Sequence, residues 1–346
     1  MTAINDALKN ITLGETQVFE NLQITPLLVP MPTTADYLTL DEAQAGGLAT
    51  VTEVDESGSV PTLLLENAAD SALFLLDGEE LVGAKQNRIL NLTLLVPAKS
   101  RLHIPVSCVE AGRWSHRTRD FSASDRTLFS KGRARKAARV SENLRTAGSR
   151  QSNQAEVWDD IAFKMSNMKV ASGTDAIADA YEHFSIPVDE YVGAFAVQTN
   201  QVGACFAING RIRGMELFDA SDTCSKLMPK LVRSYALDAI EERQDRVASG
   251  TRSVQDFLRD LAAAPIDSFD ALGEGEDLRV RAADMAGGAL VARDRVIHLC
   301  SFEQASEAGA EEPSGRMRRA SERRRYRTEE ARQRSLLDDA DDVDLP

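Results

Sequence analysis

The chain has 346 residues, 43% of them hydrophobic and 5% aromatic, with a net charge of −14. That length exceeds one ordinary domain and its apolar share supports packed cores. The charge repels a phosphate backbone and the few aromatics disfavour a base-stacking surface, so general nucleic-acid binding is disfavoured and any such contact needs a locally basic patch; no apolar run reaches the roughly 18 to 20 residues that span a bilayer.

The opening MTAINDALKN lacks a basic start followed by an apolar stretch, so the expectation is a cytoplasmic protein with no membrane insertion. Short β-rich runs follow at 17–29, 48–54, 62–67, 72–76, 88–96 and 102–108. They predict an antiparallel sandwich or barrel-like unit over residues 12–114. A helix interrupts it at 40–45, where Thr39 caps and Glu42 completes a capping box.

After Trp114 the chain turns basic and loses any clean period, which predicts a loop and helical connector over 115–190. Most of its cations are assigned to a solvated helix face, with one or two left to reach an anionic ligand. Asn153, with Glu156 three positions on, opens a helix whose Val157, Ile161 and Met165 form an apolar stripe, and a second short helix covers 175–183.

Residues 191–218 read as three strand-like runs, with Asn209-Gly210 as a type I′ hairpin turn. A helix over 226–243 comes next, its start blurred by Pro229. Another over 253–264 is capped by Ser253 with Asp256 and stopped by Pro265. Strands at 278–281, 288–292 and 295–300 complete an α+β unit over 191–302, an antiparallel sheet with helices on one face. Residues 303–346 hold nine arginines between Arg316 and Arg334 and then an acidic ending, which predicts a disordered tail and the one place for weak nucleic-acid contact.

Two segments carry function-like residues. Within SALFLLDGEELVGAKQNRILNLTLLV (71–96), apolar runs flank Asp77, Glu79, Glu80, Lys85, Gln86, Asn87 and Arg88, more polar content than a hairpin turn requires. Within IPVSCVEAGRW (104–114), Cys108, Glu110, Arg113 and Trp114 end a strand. Arg113 suits carboxylate or phosphate and Trp114 a base or sugar; alternatively Trp114 closes the core and Arg113 pairs with Glu110. Cys108 is read either as a nucleophile with Glu110 as base or as a buried, inert thiol. His103 lies five residues away on the opposite strand face, so the two do not pair locally.

The four cysteines form no C-x-x-C pair, and Cys108, Glu110 and His116 match no metal-ligand spacing, so no metal is assigned. Phosphate-loop, nucleophile-elbow and zincin motifs do not occur in the sequence. Nothing in it sets a cofactor or an oligomeric state.

The sequence resembles the ADP-ribosylglycohydrolase and rhodanese-phosphatase-superfamily-associated protein domain, formerly a domain of unknown function. The resemblance runs from about Thr12 to Phe302 and rests on DYLTLDEA (36–43), LDGEELVGAKQNRILN (76–91), IPVSCVEAGRW (104–114), QVGACFAINGRIRGMELFD (201–219) and KLVRSYALDAI (230–240). It implies company with ADP-ribose and phosphate chemistry, and hence a nucleotide or ADP-ribose-like ligand. In that setting Lys85, Arg88 and Arg113 meet phosphates, Gln86 and Asn87 bond ribose or base, and Trp114 stacks. Glu80, Glu110 and Cys108 are the catalytic candidates. The rival is a non-catalytic interaction module with a charged recruiting tail; a third reading is a Cys108-dependent hydrolase.

Overall fold

In the computed structural model, which describes residues 3–55, 60–115, 117–243 and 252–304, the chain opens with α1 (Ala3–Lys9), β1 (Thr12–Leu13), β2 (Gln17–Phe19) and β3 (Leu22–Leu28). Next come β4 (Tyr37–Thr39), α2 (Leu40–Ala45), β5 (Ala49–Glu53), β6 (Thr62–Asn67), β7 (Ala72–Leu75), β8 (Glu79–Gly83), β9 (Arg88–Leu90), β10 (Leu94–Val96), β11 (Ser100–Cys108) and β12 (Phe121–Thr127). Four helices follow: α3 (Ser130–Ala147), α4 (Gln154–Asn167), α5 (Ile177–His183) and α6 (Ser185–Ala194). The hairpin β13 (Gln201–Ile208) and β14 (Arg211–Phe218) leads to α7 (Ser221–Glu241) and α8 (Val254–Ala263). Strands β15 (Ile266–Asp270), β16 (Glu276–Val280), β17 (Met285–Ala292) and β18 (Arg295–Glu303) end the described fold.

The fold is α+β. Six antiparallel strands close a barrel in the order β11-β6-β5-β12-β8-β9. Alternation explains the closure: Leu63 and Leu65 of β6, Val51 of β5, Leu81 of β8, Leu90 of β9, Ile104 and Val106 of β11 and Phe121 of β12 all turn into one buried cluster. A second sheet runs β1-β3-β13-β14-β18-β17-β16-β15, with β2 also on β3, so strands from both ends of the chain share it. One face is covered by α7, whose Leu227, Leu231, Tyr235 and Ala239 are buried, and the other by α1 and α8. A small sheet, β10-β7-β4, adjoins them.

Local signals act as the sequence predicts. Thr39 and Glu42 form the capping box of α2, Asn153 accepts from the backbone of Ala155 and Glu156, and Ser253 accepts from Asp256. Asn209 and Gly210 take φ of 52° and 76°, as a type I′ turn needs.

Three expectations are corrected. The first strand-like run at 191–218 is the end of α6, because Val188 and Tyr191 lie one helical turn apart on a buried face and the Tyr191 hydroxyl reaches Asn21 Oδ1 at 2.8 Å. The basic connector contains a barrel strand, β12, which its polar FSASDRT does not advertise; only Phe121 and Thr127 within it are buried. Most cations of α3 keep solvent exposure as expected, while Arg133 and Lys136 are buried, paired with Glu216 and Asp77. Furthermore, α7 begins at Ser221 and continues through Pro229. Apart from Glu303 and Gln304, the expected disordered tail lies outside the described residues. Among the described residues no helix is long and apolar enough to cross a membrane.

Candidate functional site

The β8–β9 hairpin and the segment after β11 meet at one end of the barrel. Gly83 makes the approach feasible: its φ is 142°, and a Cβ there would sit 2.5 Å from the Asp120 carbonyl. The two segments are then tied together by buried side chains. Glu110 Oε2 accepts from the Asn87 backbone N–H at 3.2 Å and from Arg113 Nη2 at 2.6 Å, while Oε1 accepts from Thr174 Oγ1 at 3.1 Å. Arg113 also donates to the carbonyls of Ala84 and Ser115 at 2.7 and 2.8 Å and to Asn87 Oδ1 at 3.2 Å. Gln86 donates to the Glu110 carbonyl at 2.9 Å and accepts from both Arg88 Nη1 and the Cys108 thiol at 2.9 Å.

Apart from Arg113 Nε, which has no partner among the described residues, these polar groups satisfy one another, which is the condition for burying so many of them. Burial pushes the Glu110 carboxyl up, but the Arg113 guanidinium, the Asn87 N–H and Thr174 outweigh it and hold the group below its ordinary value. The Arg113–Glu110 pair is the alternative that the sequence left open.

Of the acidic residues Asp77, Glu79 and Glu80, only Glu80 touches this network, through Asn87. Glu80 accepts from Asn87 Nδ2 at 3.3 Å, Ser124 Oγ at 3.1 Å and Arg126 Nε at 2.6 Å, on the outer side of the barrel. Glu79 pairs with Lys230 of α7 and Asp77 with Lys136 of α3.

Inside the barrel mouth the picture differs. Alternation places Arg88 with Leu90, Cys108 with Val106 and Glu53 with Val51 on the inward face. Arg88 is wholly buried and the Glu53 side chain is 6% exposed; Arg88 Nη2 and Glu53 Oε1 stand 3.9 Å apart. Among the described residues, both Glu53 oxygens and Nε and Nη2 of Arg88 have no hydrogen-bond partner. Above them Trp114 is 49% exposed, so it does not close the core, and its ring lies 5.3 Å from Lys85 Nζ and 5.7 Å from Arg88 Cζ. Burial raises the Cys108 pKa, overriding the nearby Arg88 charge, so the sulfur rests as a thiol.

The sequence reading missed Glu53. Period-2 alternation in ATVTE was the available signal, but its partner becomes visible only once the barrel closes. His116 lies outside the described residues, and His103 is on the exposed face of β11.

A second polar cluster lies between the barrel side, α3 and the large sheet. Asp77, Glu216 and Asp277 pair with Lys136, Arg133 and Arg279 respectively. His298 Nε2 is 2.9 Å from Glu216 Oε2, and its Nδ1 is 2.8 Å from Thr93 Oγ1. Gly78, at φ 79°, is required beside it because the Arg133 stem passes 2.9 Å from where a Cβ would lie. Ligating atoms of Glu216, His298 and Cys300 fall within 4.8 Å of one another. Both Glu216 oxygens are already engaged, and three carboxylates balance three cations, so charge neutrality calls for no further cation. A cavity of about 10 Å³ beside His298 and Cys300 has room for about one water.

Residues 10–302 match the family described as the ARG and Rhodanese-Phosphatase-superfamily-associated Protein domain. No curated protein and no solved structure matches the chain.

Proposed function

The chain belongs to the ARG and Rhodanese-Phosphatase-superfamily-associated Protein domain family, and on that footing we propose that it binds a phosphate-bearing nucleotide or ADP-ribose-like ligand at the Trp114 end of its barrel. The observation that supports this reading is the pair of cations, Lys85 and Arg88, held against a half-exposed indole. A base stacks on the free part of Trp114, which is worth about 1–3 kcal/mol, and Lys85 meets the phosphate. The family description, with ARG taken as ADP-ribosylglycohydrolase, supports the ligand class.

Gln86, Asn87, Glu110 and Arg113 act here as the wall that holds Trp114 and Arg88 in place, since most of their polar groups are engaged with one another. The role is binding. A Cys108-dependent hydrolase loses support from the raised thiol pKa.

Thermal unfolding of the full-length chain with nucleoside mono- and diphosphates, NAD and ADP-ribose tests the reading. At a hundredfold excess over Kd a ligand adds about 2.7 kcal/mol, a midpoint rise of a few degrees. Measured against each variant's own ligand-free midpoint, Trp114→Ala loses the rise and Lys85→Ala reduces it by about half. No rise across the panel overturns the proposal. It would favour a non-catalytic interaction module, the reading supported by the full engagement of the Glu110 carboxylate.

A further inference from the structure

Taking the Trp114 end as the nucleotide site, we infer that Glu53 sets the orientation of the ligand: the base enters the barrel mouth and the phosphate stays outside. Among the described residues Glu53 has two buried carboxylate oxygens with no hydrogen-bond donor, and Arg88 beside it has Nε and Nη2 with no hydrogen-bond acceptor. Buried polar groups without partners are costly, so the group that docks here supplies what both lack.

A phosphate cannot. It offers only acceptors, it would lie against the Glu53 carboxylate in a poorly screened interior, and that carboxylate already offsets much of the Arg88 charge. A nucleobase edge can. It is neutral and sets an N–H beside a ring nitrogen or carbonyl oxygen, so the N–H donates to Glu53 while the neighbouring acceptor takes Arg88 Nη2. The 3.9 Å between Glu53 Oε1 and Arg88 Nη2 suits two adjacent positions on one such edge. Trp114 exchanges its contacts with Lys85 and Arg88 for the face of the base, and Lys85, buried beside the ring, turns outward to the phosphate. Glu53 is therefore the specificity residue, and Arg88, which the sequence assigns to phosphate, reads the base.

Calorimetric titration of the full-length chain with the four ribonucleosides, their 5′-monophosphates and ribose 5-phosphate separates the possibilities. At least one nucleoside binds within about tenfold of its monophosphate, and ribose 5-phosphate does not bind at the same concentration. Glu53→Gln weakens the nucleoside about tenfold or more while admitting ribose 5-phosphate, opposite changes that loss of folding cannot produce. Glu53→Asp, which keeps the charge but withdraws it, weakens the nucleoside without admitting ribose 5-phosphate. Ribose 5-phosphate binding as tightly as the monophosphates, with nucleosides silent, overturns the orientation and leaves the nucleotide site standing. Silence from all three classes removes the site and the orientation together.

Discussion

Glu110 shows at a single residue how this barrel end is held. Its side chain is 1% exposed and receives an arginine, a backbone N–H and a threonine hydroxyl. Removing one member of a buried pair costs about 3–5 kcal/mol, so Glu110→Gln is expected to lose roughly 3 kcal/mol at neutral pH. The sign with pH follows from the depressed carboxyl. Its contribution is fully present above the unfolded value, near 4.5, and is lost as pH falls through the lower folded value. Urea unfolding across about pH 7 to 3 therefore shows the gap between wild type and variant narrowing only at the acid end. A gap constant through pH 3 contradicts the ionised Glu110.

At the scale of the element, β12 is held unevenly, by four registered pairs to β8 and one to β5. It pairs with β5 only at Phe121 opposite Val51. The Gln44 amide takes over the ladder: Nε2 donates to the Phe121 carbonyl at 2.9 Å, and Oε1 accepts from the Ala123 N–H at 2.7 Å. A side chain of α2 thus imitates a neighbouring strand. Gln44→Ala is expected to cost about 1–3 kcal/mol and to speed hydrogen exchange at the Ala123 amide more than at Leu63 or Leu65. Equal protection in the variant rules the latch out.

The same strand explains what the sequence could and could not reveal. Thr39, Asn153, Ser253 and Asn209-Gly210 act within a few residues of themselves, so their caps and turn were legible. β12 and α6 owe their form to partners far along the chain, and neither carries a clear local period. The site divides likewise. Excess polarity flagged Lys85 to Arg88 and Glu110 to Trp114, whereas Glu53 gains meaning only from barrel closure.

Across the whole molecule, barrel and sheet meet at the balanced set of Asp77, Glu216, Asp277, Lys136, Arg133 and Arg279. Neutrality there is collective, so a single deletion strands a charge. Lys136→Met is expected to lose about 3–5 kcal/mol, and adding Asp77→Asn to recover a substantial part of it, in a denaturant-unfolding double-mutant cycle. Additive losses would mean that the pair is not coupled.

The four free cysteines, all buried, are spread over these same layers: Cys108 in β11, Cys205 in β13, Cys224 in α7 and Cys300 in β18. Each sulfur is a shutter that opens only when its own layer parts. A thiol-reactive dye applied to the native protein thus works as a set of clocks, and the order in which the four sulfurs are labelled gives the order in which barrel, helix and sheet come undone.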